Sequence, residues 1–369
     1  MKIYRIGIHK KNVKISNNKD VKEDNNRIIY NKKDDLIKIK CEIDHYNSKK
    51  WEETKKSFNQ YEYIYTSSLK SNNNICAITP VSRSYFKLHE MITDLNLIET
   101  KSYCACIAEG PGGFIHCLNH HISENNINFF KIYGITLISQ QDRSIPYWNQ
   151  QILTNRHNQI INGKDNTGNI YNYENVIHFI QTINHNYCHF ITADGGFDYS
   201  KDYNLQEESS YRLLYSEIFI ALNIQKIRGN FILKVFDLFN YKTIQLIYLL
   251  YNCYSMVEIY KPLTSRNSNS EKYIICSNFQ GCPIPIKDKL KEYFDKCNEL
   301  YIDVPKTFIN DINEYNDIFV ERQINTIKGI LNNINTHHSK KPSKQQIYNA
   351  QRWCELYGLP INEKCIYLN

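Results

Sequence analysis

Ile107-Ala108-Glu109-Gly110-Pro111-Gly112-Gly113-Phe114 is the stretch that decides how the 369-residue chain folds. The residues ahead of it, Tyr103 to Ala108, are apolar and rich in Cys and Ala, which predicts a short buried strand. Beyond it Phe114, Ile115, Cys117, Leu118, His121 and Ile122 recur at helical spacing, so a helix is expected to begin within the turn. Gly110, Gly112 and Gly113, stiffened by Pro111, let the backbone turn sharply and come close to a ligand. Strand, glycine turn and helix in this order build a nucleotide-type pocket at the carboxyl end of a parallel sheet. Neither G-x-G-x-x-G nor G-x-x-x-x-G-K-[ST] is present, which weakens dinucleotide and P-loop readings. A tight turn without a ligand is the structural alternative.

A hydrophobic content of 42% suffices for one large domain with extensions, or for two domains. No apolar run reaches the roughly 18 residues a membrane span needs, and Met1-Lys2-Ile3-Tyr4-Arg5 lacks a signal-peptide core. The expectation is a soluble intracellular protein, nuclear or cytoplasmic, with no membrane partner. Twelve cysteines without a CxxC pair argue against a zinc ribbon or a thioredoxin-type site. Cys104 and Cys106 share one face of the predicted strand and read as core thiols. The net charge of +7 is concentrated: residues 1–70 carry 17 Lys/Arg against 10 Asp/Glu, and the remainder is balanced. Such a basic region can track a phosphate backbone. A solvated, partly unstructured arm fits the same composition.

Residues 1–70 mix short apolar pieces, among them Arg27-Ile28-Ile29-Tyr30 and Leu36-Ile37-Lys38-Ile39, with polar runs, and fit small strands or an irregular layer. Ser71 to Asn74 reads as a polar linker, and Ser84 to Ile98 as an amphipathic helix. A second strand covers Phe129–Leu137, and 139–173 is polar and loop-rich. Then come a helix at Glu174–Asn184, a strand at Cys188–Ala193, a long helix at Leu205–Ile227, a strand at Gly229–Phe236 and a helix at Thr243–Cys253. Met256–Tyr260 and Tyr273–Cys276 have no room for a helix between them and are expected to be antiparallel. Helices dominate from Pro283 to a stop at Gly358-Leu359-Pro360.

Four charged residues fall at or near the carboxyl edge of this sheet. Lys87 lies on the helix before the glycine turn, Asp194 closes its strand, and Glu271 follows a polar loop. Lys234 sits among Phe231, Ile232, Leu233, Val235 and Phe236, a costly place for an ammonium without a partner or a task. Each of the four also reads as a surface charge or a structural ion pair.

An acidic residue before G-P-G-G-F resembles the first motif of S-adenosylmethionine (SAM) methyltransferases, in particular the FtsJ-like branch. The set Lys87, Asp194, Lys234 and Glu271 resembles the K-D-K-E signature of FtsJ-like 2′-O-ribose methyltransferases. The segments that carry it are Ser82-Arg83-x-x-Phe86-Lys87-Leu88, Ala193-Asp194-Gly195-Gly196, Leu233-Lys234-Val235-Phe236-Asp237 and Lys261-Pro262 through Asn269-Ser270-Glu271-Lys272-Tyr273. Within that superfamily the chain looks most like eukaryotic and viral mRNA cap-1 methyltransferases. It shares their run through Phe197, Asn204-Leu205-Gln206-Glu207, Asp237-Leu238-Phe239 and, loosely, Trp353-Cys354-x-x-Tyr357-Gly358-Leu359-Pro360. Two positions depart from the pattern: Thr136-Leu137 offers no carboxylate for a ribose, and Asn169 stands where many relatives have Asp.

The resemblance implies a Rossmann-like α/β sheet, mostly parallel with an antiparallel pair at its end, helices on both faces and a helical C-terminal extension. It implies an FtsJ-like methyltransferase domain at 75–280 and an extension at 281–369 packed on that domain; it does not reach the basic N-terminal region at 1–70, whose structure stays open. SAM would lie on Glu109, Gly110, Pro111, Gly112, Gly113, Phe114, Thr136, Leu137, Asn169, Ile170 and Asp194, with no metal. Lys234 would be the general base, its pKa lowered by burial and neighbouring cations, with Asp194 orienting it and Glu271 orienting Lys87 or the hydroxyl. Arg83 and Arg266 would contact RNA phosphates. The implied activity is 2′-O-methylation of the first transcribed nucleotide of capped mRNA, with other capping or transcription proteins as partners. An FtsJ-like methyltransferase of ribosomal or transfer RNA, and an idle RNA-binding or polymerase-accessory subunit, are the alternatives.

Overall fold

Strand β3 (Lys101–Ile107) buries Cys104 and Cys106 on one face and Ala105 and Ile107 on the other, in two separate hydrophobic clusters. That alternation is the period of two inherent in a pleated strand, and it sorts the whole molecule into layers. The computed structural model describes residues 2–9, 11, 13–16, 27–98, 101–125, 129–139, 141–142, 144–184, 187–196, 205–336 and 341–368. The other strands of the main sheet are β1 (Ile3–Arg5), β4 (Phe129–Ile135), β5 (Asn158–Ile160), β6 (Cys188–Ala193), β7 (Gln225–Val235), β8 (Tyr254–Tyr260) and β9 (Lys272–Phe279). Their order is β1-β8-β9-β7-β6-β3-β4-β5, parallel from β7 to β5 and antiparallel from β7 through β9 and β8 to β1. A separate small pair joins β2 (Ile15–Ser16) to β10 (Tyr301–Ile302).

Helices α3 (Ser84–Leu95), α4 (Gly113–Glu124) and α11 (Lys344–Leu356) cover one face of the sheet. On the other face lie α6 (Tyr173–Ile183), α7 (Gln206–Ile224), α8 (Tyr241–Cys253) and α9 (Ile284–Glu292). A third cluster joins α1 (Lys33–Ile43) and α2 (Ser48–Phe58) to α10 (Lys306–Asn333) through Leu36, Ile39, Trp51, Val320 and Ile327. Each fully buried aliphatic side chain in these clusters contributes about 1.5–3 kcal/mol relative to exposure.

The sheet is the mostly parallel one with an antiparallel end that the sequence predicts, and β8 and β9 are the antiparallel pair. Three expectations change. The loop-rich stretch 139–173 contains a short helix, α5 (Gln150–Thr154), and the third parallel strand β5, which pairs with β4 over three residues. Leu36-Ile37-Lys38-Ile39 is helical, because Leu36, Ile39 and Lys40 recur on one buried face. Ser71–Asn74 is held in place: Asn74 is buried and its side-chain oxygen accepts from Thr66 N at 2.7 Å. The N-terminal segment therefore supplies both an edge strand and a helical layer. Positions Phe197 and Asn204 of the resemblance lie outside the described residues.

Candidate active site

The glycine turn is shaped by its hydrogen bonds. Ala108 leaves β3 at φ +55° and Gly112 takes φ +107°, a region that favours glycine. Gly110 N–H donates to the Thr136 hydroxyl at 3.1 Å, which ties the turn to the end of β4. The Glu109 carboxylate accepts from Phe114 N at 2.6 Å and Ile115 N at 3.3 Å, satisfying two free donors at the start of α4. Glu109 is buried, and burial with Asp194 nearby pushes its pKa well up. Glu109, Gly113 and Phe114 are buried in the turn and helix start, and Ile170 is buried in the core on the other face of the sheet. Gly113 lies against the Ser82 and Ser84 hydroxyls, which a Cβ there would approach to 2.2 and 2.1 Å. Leu137 is 39% exposed, and Gly110, Pro111, Asn169 and Asp194 keep accessible surface at the same edge. The Asn169 side-chain oxygen caps Tyr171 N at 2.9 Å.

The four charged residues converge for a reason of parity. Asp194, Lys234 and Glu271 continue the alternation that puts Phe190, Ile232, Tyr273 and Ile275 on the face covered by α3, and α3 carries Lys87. They form two ion pairs. Lys87 Nζ donates to Glu271 Oε2 at 2.7 Å. Lys234 Nζ donates to the Asp194 carbonyl at 2.6 Å and lies 3.2 Å from Asp194 Oδ1. Tyr273, which the sequence reading did not single out, donates its hydroxyl to Asp194 Oδ1 at 3.0 Å. A Cβ on Gly196 would stand 3.1 Å from Lys234 Nζ, so glycine there leaves the amine room.

Electrostatics correct one expectation. Burial does pull the Lys234 pKa down, but Asp194, Glu271 and Glu217 outweigh it, and the net direction is up. The ammonium is therefore the resting form in the ligand-free protein. Burial would raise Glu271, yet Lys87, Lys234 and Lys261 hold it down at about 2, so it is ionised at any working pH.

The segment carrying Glu271 is anchored from several sides. Ser265 Oγ donates to Glu271 Oε1 at 2.9 Å, and Lys261 Nζ donates to the Glu271 carbonyl at 2.5 Å and Asn269 Oδ1 at 2.6 Å. Glu90, one turn beyond Lys87, is fully buried and accepts from Leu263 N at 2.7 Å and Thr264 N at 3.3 Å. Lys2 Nζ lies 2.8 Å from the same carboxylate, and Trp353 Nε1 of α11 donates to it at 3.4 Å. The spacing of Lys87 and Glu90 on one helix face was a signal available in the sequence.

Arg83 and Arg266 converge on Glu62. Arg266 grips Glu62 with Nε at 3.0 Å and Nη2 at 2.6 Å. Arg83 donates to the Tyr65 carbonyl at 2.6 Å and lies 3.6 Å from the Glu62 carboxylate. Burial would raise Glu62, but the two guanidiniums hold it at about 2. Its contribution to stability is complete above its ordinary pKa of 4.5 and is lost as the pH falls toward 2. Glu62→Ala is expected to cost about 3–5 kcal/mol, since it leaves two cations without their shared anion. A denaturant midpoint unchanged from wild type would show that water replaces the carboxylate at no cost.

Among the described residues, no group of three or more His, Cys, Asp or Glu side chains is arranged to hold a metal, and no helix is long and apolar enough to cross a membrane. None of the twelve cysteines is in a disulfide, and burial raises the pKa of Cys104 and Cys106.

Residues 80–279 match the profile of the FtsJ-like methyltransferases. The chain is 32% identical over 214 residues to cap-specific mRNA (nucleoside-2′-O-)-methyltransferase 1 of Bos taurus, covering 54% of this chain and 24% of that protein. To the Homo sapiens protein of the same name it is 30% identical over 241 residues, 59% of this chain and 27% of that one. To cap-specific mRNA (nucleoside-2′-O-)-methyltransferase 2 of Danio rerio it is 26% identical over 296 residues, 71% and 38% of the two chains. The chain thus spans well under half the length of these relatives. A solved structure described as a putative ribosomal RNA methyltransferase from Plasmodium falciparum superposes with a TM-score of 0.40 at 21% identity, over 55% of this chain and 99% of that one.

Proposed function

This chain belongs to the FtsJ-like methyltransferase family, and from that premise we propose that it is a SAM-dependent RNA 2′-O-ribose methyltransferase acting on the first transcribed nucleotide of capped mRNA. The observation that carries the reading is the pair of ion pairs, Lys87–Glu271 and Lys234–Asp194, at the sheet edge beside the glycine turn. The residues at that edge suit SAM. Asp194 offers negative charge to a cationic centre, the exposed Leu137 side chain offers apolar surface to a base, and Gly110 and Pro111 keep the turn accessible. When bound, SAM supplies an electrophilic methyl group on its sulfonium.

The chain's own part is to align a ribose hydroxyl and to take up its proton. Lys234 Nζ is assigned as the acceptor of the 2′-hydroxyl proton. Asp194, steadied by Tyr273, fixes where that nitrogen sits, while Glu271 holds Lys87. The groups interact closely enough to titrate together.

The cap assignment draws on the names of the relatives and on a cavity of about 90 Å³ beside the Glu271 segment. Lys40, Trp51, Lys55, Gln206, Arg266 and Gln323 border it. Lys40 and Arg266 are engaged by Asp237 and Glu62, which leaves Lys55, 6.0 Å over the Trp51 ring, as the cation beside an indole that suits a phosphate attached to a purine. The test is incubation with labelled SAM and RNAs beginning Gppp, m7Gppp or plain triphosphate, followed by digestion and mapping of the methyl group. Label on the first-nucleotide ribose of capped RNA, at least tenfold above triphosphate RNA, is the expected result. Equal labelling of all three, or label only at internal positions, would overturn the cap assignment. No transfer to any RNA would leave a binding protein on a methyltransferase fold.

A further inference from the structure

The two catalytic segments meet at one buried carboxylate. Asp237 lies three residues beyond Lys234, and Ser270 and Lys272 flank Glu271. Ser270 Oγ donates to Asp237 Oδ2 at 3.0 Å, and Lys272 Nζ donates to the Phe236 carbonyl at 2.5 Å with Asp237 Oδ1 3.9 Å away. The groups that complete this node come from outside the stretch that matches the family. Lys40 Nζ of α1 donates to Asp237 Oδ2 and to Ser270 Oγ, both at 3.2 Å. Gln323 Nε2 of α10 donates to Ser270 Oγ at 3.3 Å and to the Ser268 carbonyl at 3.1 Å. Lys40, Asp237, Ser270, Lys272 and Gln323 are all buried.

Burying two ammonium groups around one carboxylate is costly unless they are paired and hydrogen-bonded. Asp237 Oδ2 takes both hydrogen bonds, from Lys40 and Ser270, while Oδ1 has only the Lys272 charge 3.9 Å away, so Lys40 supplies the close ionic contact of the node. Without Lys40, Asp237 keeps the Ser270 hydroxyl but only the more distant Lys272 as a cation, and Ser270 loses one of its two donors. Glu271, between Ser270 and Lys272, would then drift relative to Lys87, and the end of β7 relative to β9.

We propose that Lys40 is a positioning residue for methyl transfer: clamped on Asp237 and Ser270, with Gln323 on the same hydroxyl, it fixes the Glu271 segment against the Lys234 strand end. The N-terminal layer is on this view part of the catalytic apparatus. The kinetic readout rests on the function proposed above, and the exchange readout does not.

Lys40→Met keeps the unbranched stem as far as the Cε position and removes the ammonium with its three donors. Its kcat is expected to fall about tenfold to a hundredfold, with the KM for RNA and the SAM affinity unchanged, and Lys40→Arg should recover part of the loss. In a Glu271→Gln background the same change should cost less than about twofold more, because both act on one geometry. Amide hydrogen exchange across residues 265–272 should quicken in Lys40→Met without any substrate. Ser270→Ala, which leaves the Lys40–Asp237 pair in place, should quicken the same amides and serves if Lys40→Met fails to fold. Unchanged exchange in both variants, a fully additive double variant, or a loss confined to the RNA KM would overturn the proposal. The last would make Lys40 a substrate contact from the bordering cavity. If no RNA is methylated, the proposed function fails while the exchange experiment still decides the clamp.

Discussion

Lys234→Ala is expected to lower methyl transfer by about 10²–10⁴-fold, the range of a lost general base, while SAM and RNA still bind. Lys234→Arg should fail as well, since a guanidinium keeps its proton at any working pH. The wild-type pH profile follows from the same contacts. Burial lowers the Lys234 pKa, but Asp194, Glu271 and Glu217 carry it above its ordinary 10.5, so the free amine is the minor form near neutrality. Turnover should then climb by up to about tenfold per pH unit between roughly pH 6 and 9. The stability that the Lys234–Asp194 pair contributes runs the other way. It is complete below 10.5 and is lost as the pH rises through the raised value. Near-wild-type turnover by the arginine variant, or a flat pH profile, would show that Lys234 supplies charge alone.

Gly112→Val is expected to weaken SAM binding in calorimetry by at least about a hundredfold, through the shape of the turn. At φ +107° any branched residue is strained, and a Cβ there would stand 2.7 Å from Ile152 Cγ1 of α5. The strain costs about 1–3 kcal/mol, which should lower the denaturant midpoint while far-UV circular dichroism stays native. The collision is with the protein's own wall. Unaltered SAM affinity in this variant would remove the glycine turn from the cofactor site.

The parts legible in the sequence were those with dense local signals. The strand, turn and helix around Gly110–Phe114 declared themselves by apolar runs and glycine, and Lys234 stood out as a charge inside a hydrophobic strand. The antiparallel β8–β9 pair followed from a connection too short for a helix. What escaped detection was decided by distant partners. β5 is three half-buried residues in a polar stretch, and β1 is three residues that become a strand only against β8. The contact of Arg266 with Glu62 spans 204 positions, and no local pattern announces it. Leu36, Ile39, Lys40 and Ile43 do stand at helical spacing, but the run is short and lies among polar residues, and its helix is held by packing against distant α10.

The seat of β1 also governs the order in which the protein can assemble during its synthesis. Arg5 and Glu258, paired across β1 and β8, stand 253 positions apart. At ~5–20 residues per second, a ribosome needs on the order of 10–50 s to deliver the partner strand after β1 has emerged. The Lys40 contact to Asp237 waits almost as long, being 197 positions away. The N-terminal segment is thus translated long before its docking surface exists, and it must stay unpaired through most of elongation. Once β8 emerges, a tethered strand is already present to cap its edge, ahead of any strand from another nascent chain.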